Sequence, residues 1–350
     1  MLHFCAKRIT SAGILANFRK ISCLVLLFFT VGTFAQAPGR VEELTIHSRA
    51  LEGNLLGDSP DRQVFVYLPA SYDTSNRRYP VVYMLHGYGL RAEGWMRIFS
   101  IESAINSALS EQGTKEMIVV SPSSYNFYDG AFYTSSQATG DWDRFISEEL
   151  VNHIDSRYRT LPNRESRGLM GHSMGGYGTL RIGMRHPEVY SVMYPMAACC
   201  MADAGEPGEA MTLAASYKTR EDVEALRYPA KSTMARAAAW SPNPNRPPLY
   251  FDLPVENGIA RPEIQAKWQA NSIFPMLDQY THNLRLYTAI KFDVGSEDGL
   301  LESNRALDEK LTEIGVEHVF EVFEGDHNNG VNRRITNSAL PFFSEHLLFE

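Results

Sequence analysis

Residues 167–178 place Gly171-x-Ser173-x-Gly175 between a short apolar run and a run with helical spacing. No other feature restricts the possible folds of this chain as strongly. A serine at a sharp strand-to-helix turn has its hydroxyl pushed into solvent, and so tight a turn accepts only small neighbours. The pattern predicts a strand over 168–171, a helix over 174–185 stopped before Pro187, and the next strand over 191–197. A strand, a helix and a second strand in that order form the unit of a parallel sheet.

The same rhythm continues on both sides. Residues 41–51 and 63–68 read as strands, closed by Pro69 and the turn residues 72–78. The continuous apolar run 80–85 fits a strand buried on both faces and stops at His86-Gly87-Tyr88-Gly89. A helix follows over 98–109, then a buried strand over 117–120 and an aromatic loop holding Tyr125, Phe127, Tyr128, Phe132 and Tyr133. Residues 142–158 have helical spacing, with Phe145, Ile146, Leu150 and Ile154 on one stripe. From about 201 to 285 glycine, proline and polar residues break the rhythm, so this part reads as a lid-like insertion after the sixth core strand, with short helices over 220–226 and 262–269. It resumes with a strand over 289–294, a helix over 302–314, a strand over 318–323 and a closing helix over 336–348. The expected class is α/β: one domain over 36–350 with a mostly parallel central sheet and helices on both faces.

The first 35 residues differ from the rest. Lys7, Arg8, Arg19 and Lys20 precede the apolar run 21–34, and small residues lead to Ala35. That is the layout of a cleavable signal peptide, and the expected destination is secreted or periplasmic. The alternative, an uncleaved anchor, is disfavoured because the apolar core is shorter than the roughly 20 residues that span a bilayer; no stable membrane insertion is expected after cleavage. Removing four basic residues leaves 29 basic against 41 acidic, moving the net charge from −8 to −12. An acidic surface argues against nucleic acid as a partner. Only Cys199 and Cys200 lie beyond the segment, and adjacent cysteines suit an ordinary disulfide poorly, so they read as small buried thiols at a strand end. Nothing in the sequence specifies an oligomeric state.

A serine hydroxyl becomes a nucleophile only when a positioned base takes its proton and a third group holds the base. At a turn of this kind the acid and then the histidine follow the serine along the chain. Of the downstream histidines, His186 abuts a helix end, His318 lies in a strand and His346 in the last helix. His327 sits in the polar loop 324–330 just past a strand, where it reaches over the sheet edge. For the acid, Asp298 in the turn after 289–294 is favoured, with Glu297 as runner-up and Asp293 inside the strand. Backbone N–H groups of Met174 and Tyr88 are the expected oxyanion donors. The neighbouring His86 and His172 are poor bases, since each flanks a turn whose backbone carries the chemistry.

Residues 81–87, Gly171-His172-Ser173-Met174-Gly175-Gly176, Gly295-Ser296-Glu297-Asp298 and Gly325-Asp326-His327 together resemble the esterase D family of α/β-hydrolases. That family includes feruloyl and acetyl esterases, S-formylglutathione hydrolases, enterochelin-type esterases and mycolyltransferases. Residues 67–72, ahead of Tyr79-Pro80, are similar as well. The likeness covers about 45–198 and 288–347. It implies an α/β-hydrolase fold in which Ser173 attacks an ester carbonyl, His327 acts as base and then acid, Asp298 orients the imidazole and water resolves the acyl-enzyme, with no metal and no cofactor. Two departures stand out: Asn328-Asn329 replaces an aromatic that many relatives carry, and the insertion matches no known substrate class. Tyr125, Tyr128 and Tyr133 are candidates for an aromatic platform that holds a sugar or phenolic group, and Trp240 is a candidate substrate contact beside the proline run, packing being the commoner role of such rings. The leading expectation is a serine carboxylesterase acting on a carbohydrate-linked or other small ester. An acyltransferase with the same triad comes second. A non-catalytic binding protein would be marked by loss of Ser, Asp or His, and none is lost. Export disfavours an S-formylglutathione hydrolase, whose substrate is cytosolic.

Overall fold

Eight strands form the central sheet of the computed structural model, which describes residues 38–111 and 113–350. The signal peptide expected over 1–35 lies outside the described residues. The strands are β1 (Arg40–His47), β2 (Asp61–Leu68), β3 (Val81–Leu85), β4 (Ile118–Pro122), β5 (Arg167–His172), β6 (Val192–Met196), β7 (Ala289–Gly295) and β8 (Val319–Phe323). Their order across the sheet is β1-β2-β4-β3-β5-β6-β7-β8. β2 pairs antiparallel with both β1 and β4, and all other pairs are parallel, so the expectation of a mostly parallel sheet holds.

Every residue of β3, β4, β5 and β6 is buried, which is why their central residues are apolar without alternation. Alternation still sorts their side chains. Val81, Tyr83, Leu85, Val120 and Leu169 join one core, and Val82, Met84, Val119 and Met170 join the other. Each fully buried valine or leucine contributes about 1.5–3 kcal/mol. The registers Val81↔Arg167 and Leu85↔Gly171 bring the ends of β3 and β5 out together.

The helices are α1 (Ala92–Ile98), α2 (Ile101–Glu111), α3 (142–157), α4 (Met174–Arg185), α5 (Glu209–Ser216), α6 (Arg220–Ala225), α7 (Ala230–Trp240), α8 (Pro262–Asn271), α9 (Ile273–Leu284), α10 (Leu301–Glu313) and α11 (331–346). The helix expected over 98–109 is α2, and a further helix, α1, precedes it, the two separated at Ser100, whose φ is +50°. α3 and α11 each contain one wider π-helical turn. α6 begins with a capping box: Thr219 accepts the Asp222 N–H, and the Asp222 carboxylate accepts the Thr219 N–H.

The region after β6 is more helical than expected. α7 is buried on every side except at Arg236, so it lacks the polar stripe by which a helix is recognised. α9 does not belong to the insertion. It packs on α4, where Asn283 Nδ2–H donates to Met184 O at 2.8 Å, and it leads directly into β7. The inserted part therefore closes with α8 at Asn271, ahead of the expected boundary near 285. Among the described residues, no helix is long and apolar enough to cross a membrane.

Candidate active site

β5 delivers Ser173 at the C-terminal edge of the sheet in a backbone conformation of φ +59° and ψ −112°, which few non-glycine residues adopt and which costs of order 1–3 kcal/mol. The turn is held by the Ser173 N–H donating to Met196 O at 2.9 Å and the Tyr177 N–H donating to Ser173 O at 3.0 Å. Its glycines are required by close approach. A Cβ on Gly175 would lie 2.0 Å from Leu85 O, and one on Gly171 would lie 2.4 Å from Gly175 O. The backbone of β3 therefore presses on the turn, and only hydrogen atoms fit between them.

Ser173 Oγ lies 2.9 Å from His327 Nε2, and His327 Nδ1 lies 2.8 Å from Asp298 Oδ2. The other carboxylate oxygen of Asp298 accepts the Leu300 N–H at 2.9 Å. Burial alone would raise the Asp298 pKa. The His327 hydrogen bond, the Leu300 N–H and the charge of His327 outweigh it and hold the carboxyl below its ordinary range. The runner-up acid, Glu297, has an exposed side chain, while its N–H donates to Gly325 O at 2.9 Å and ties the acid turn to the histidine loop. A Cβ on Gly295 would lie 2.2 Å from that same Gly325 O, so glycine is what lets the two loops touch. Within the histidine loop, Asp326 Oδ1 accepts the N–H groups of Asn328 and Asn329, and Asn329 Oδ1 accepts the Asp326 N–H. Asp326 and Asn329 thus set the loop's shape, and Asn328 also faces the cavity. Asp293 is buried in β7 and bonds Arg334 and Tyr194, away from the histidine.

One contributor escaped the sequence reading. His172 Nε2–H donates to His327 O at 2.8 Å, and its ring stacks on Trp95. Burial first, then the charge of His327, lowers its pKa to about 4, so the imidazole stays neutral with its proton on Nε2. The sequence marks this residue only as the variable position before the serine.

Met174 is the first residue of α4, so its N–H has no carbonyl one turn earlier in the helix. Met174 and Tyr88 both line the cavity beside Ser173. The aromatic loop supports this corner. The Tyr88 hydroxyl donates to Tyr128 O, the Gly89 N–H donates to Asp129 O, and the Tyr133 hydroxyl donates to His86 O. His86 is buried, and its Nε2 accepts the Ser124 N–H at 2.9 Å; burial lowers its pKa to about 4.

A cavity of about 810 Å³ opens over Ser173, lined by apolar groups such as Phe99, Phe132, Met201 and Phe274 together with Cys199, Cys200, Asp203 and Arg236. None of the four aromatic residues expected to contact substrate lines it. Tyr128 and Tyr133 are fully buried, the former donating its hydroxyl to Leu249 O. Trp240 packs between Phe132, Tyr177 and Trp268, and the Tyr125 hydroxyl donates to Asp129 beneath the Arg91 guanidinium. These rings are scaffold, and the aromatic residues at the cavity are Tyr88, Phe99, Phe132, Tyr228 and Phe274. Cys199 and Cys200 are free thiols at the end of β6, half-buried against the cavity.

Comparison with known proteins agrees with this architecture. A model of the Esterase family matches residues 59–333. An acetyl esterase of Caldicellulosiruptor saccharolyticus is 23% identical over 301 residues, covering 82% of this chain and 92% of that protein. An endo-1,4-beta-xylanase/feruloyl esterase of Xylanibacter ruminicola is 27% identical over 133 residues, covering 36% of this chain and 18% of that protein. The match to an esterase of Mycobacterium tuberculosis, at 30% identity over 125 residues, likewise covers only 26% of that protein. A solved ferulic acid esterase structure is similar with a TM-score of 0.64 at 21% identity, covering 89% of this chain and 99% of the other. An S-formylglutathione hydrolase from Agrobacterium tumefaciens is similar with a TM-score of 0.60 at 17% identity, covering 89% and 96%. The chain belongs to the Esterase family, and its fold is that of the α/β-hydrolases.

Proposed function

We propose that this chain hydrolyses carboxylic esters through an acyl-enzyme on Ser173. The observation that carries the reading is the unbroken line from Ser173 Oγ to His327 Nε2 at 2.9 Å and from His327 Nδ1 to Asp298 at 2.8 Å. His327 Nε2 takes the Ser173 proton as Oγ attacks the carbonyl carbon, and the oxyanion is met by the Met174 and Tyr88 N–H groups. Asp298 holds Nδ1–H and stabilises the imidazolium. The imidazolium then protonates the departing alcohol oxygen as the ester C–O bond breaks. Water next gives a proton to Nε2 and attacks the acyl carbon, and Ser173 leaves with that proton, releasing the carboxylic acid. The His327 side chain is 33% exposed, so water reaches the base, which favours hydrolysis over transfer to another acceptor. Export of the chain is part of the same proposal and rests on the basic and apolar layout of residues 1–35.

The test is hydrolysis of p-nitrophenyl acetate by the purified chain. Ser173→Ala and His327→Ala each lower kcat by roughly ten-thousand-fold or more while the far-UV spectrum is kept. Ordinary turnover by folded Ser173→Ala overturns the mechanism.

A further inference from the structure

We propose that Asp203, Ser232, Arg236 and the ring of Tyr228 form a subsite for the hydroxyl groups of an uncharged sugar carried by the ester. This deepens, and rests on, the reading of Ser173 as the nucleophile. All four residues come from the segment after β6 and line the cavity that holds Ser173 and His327. Ser232 and Arg236 are four residues apart on α7, so they share one helix face. That helix is otherwise buried and rich in alanine, and a guanidinium there is costly to bury without a carboxylate partner.

The partner is Asp203, which accepts from Arg236 Nη1. The protein anchors the pair from behind: Asp203 Oδ1 accepts the Gly205 N–H at 3.0 Å, and Arg236 Nη2 donates to Thr233 Oγ1 at 3.2 Å. The Arg236 side chain is 23% exposed and that of Asp203 17%, so the pair keeps hydrogen-bonding capacity at the cavity wall. Ser232 Oγ has no hydrogen-bond partner among the described residues. Tyr228 is 76% exposed, and its ring lies 6.5 Å from that of Tyr88. An exposed aromatic ring lining the same cavity as an ion pair and a hydroxyl matches the two sides of a pyranose: an apolar C–H face and a hydroxyl rim.

Charge decides between ligand classes. Arg236 is already neutralised by Asp203, so an anionic group would meet the carboxylates of both Asp203 and Asp298 in the same cavity. A hydroxyl gives its proton to Asp203 and accepts one from Arg236, and adjacent hydroxyls use both at once. A plain alkyl ester leaves the pair unused.

Three esters test this with the full chain: acetylated methyl glucoside, its uronic acid counterpart and p-nitrophenyl acetate. Wild type favours the neutral sugar acetate over the uronate by kcat/KM. Tyr228→Ala and Ser232→Ala lower kcat/KM for the sugar acetate roughly ten-fold more than for p-nitrophenyl acetate, the size of one lost hydrogen bond or stacking contact. Tyr228 is exposed, so its variant reads binding without a folding penalty. An equal change on both esters, no change, or a preference for the uronate overturns the subsite and leaves the Ser173 reading intact. Retained turnover of all three esters in Ser173→Ala overturns that reading instead.

Discussion

Replacing His172 by phenylalanine separates a hydrogen-bond effect from a proton effect, because only the second depends on pH and their sum changes sign. The imidazole is 4% exposed, stacks on Trp95 at 5.8 Å between ring centres, and donates to His327 O. Its folded pKa of about 4 lies below the ordinary 6.5 because burial, and then the charge of His327, disfavours the cation. The unfolded chain therefore binds a proton here that the folded chain refuses between the two values. Stability from this residue is fully present above about pH 6.5 and is lost as the pH falls toward 4, at about 1.36 kcal/mol per pH unit. A gap of roughly 2.5 comes to about 3.4 kcal/mol. Phenylalanine keeps the stacking and has no proton to bind, but it leaves His327 O without its donor, a loss of about 1 kcal/mol. At about pH 7 the variant is thus less stable by about 1 kcal/mol, and at about pH 4.5 it is more stable by a similar amount or slightly more. Urea denaturation of both proteins from about pH 4.5 to 7.5 reads the difference, and the stability curves are expected to cross between about pH 5 and 6. His86, with the same depressed value, and His186, whose pKa is raised beside Asp143 despite its burial, are common to both proteins and cancel. Parallel curves across this range refute the buried neutral imidazole.

Asp298→Asn lowers kcat on p-nitrophenyl acetate by roughly a thousand-fold or more because an amide no longer holds Nδ1–H, whereas the exposed Glu297→Gln changes it less than about two-fold; equal losses would reassign the acid. Gly175→Ala drives a Cβ to 2.0 Å from Leu85 O and 2.6 Å from Leu85 C, both backbone atoms, and costs about 3 kcal/mol or more, read as a fall in Tm; an alanine tolerated there would contradict the packing of β3 on the turn. Tyr128→Phe removes the buried hydroxyl that donates to Leu249 O and lowers stability by about 1 kcal/mol with KM for p-nitrophenyl acetate held; a raised KM at full stability would restore Tyr128 to the substrate.

The residues of the proposed triad are legible in the sequence because each lies in a turn or loop that follows a strand. β3 is apolar from end to end and β5 is apolar at its centre, so His86-Gly87 and Ser173 just beyond them mark the sheet edge, while Asp298 lies in the polar turn after β7, a strand that itself carries Lys291 and Asp293. His327 was found by elimination, since it alone among the downstream histidines sat in a polar loop after a strand. The aromatic candidates are ambiguous in the sequence because a ring in a loop looks the same whether it meets substrate or backbone. What decides is the partner opposite, Leu249 O for Tyr128 and His86 O for Tyr133, and those partners lie 121 and 47 residues away. α7 was invisible for a related reason: a helix buried all round shows no alternation of polar and apolar faces. His172 and the Asp203–Arg236 pair belong to contacts between distant segments, 155 and 33 residues apart, and local spacing carries no signal for either.

The structure divides labour between two kinds of support. Gly87, Ser173, Asp298 and His327 all stand just beyond the C-terminal ends of parallel strands, where ligands bind in open α/β sheets. Their spacing is fixed by backbone-to-backbone approaches at Gly171, Gly175 and Gly295, which leave no room for a side chain and so little room for adjustment. The cavity wall facing them is drawn from the segment between β6 and β7, where Asp203, Tyr228, Ser232 and Arg236 sit. Rigid strand ends hold a reaction geometry to the tolerance catalysis demands, while loops and added helices vary without disturbing the sheet. Exchange of the segment from Met201 to Asn271 for that of another family member is therefore expected to change which ester is preferred while the Ser173–His327–Asp298 chemistry persists, measured as a shift in the ratio of kcat/KM between sugar and aryl acetates. Loss of turnover on every ester in a folded exchange variant would show that the segment also holds the reacting groups in place, and the division would fall.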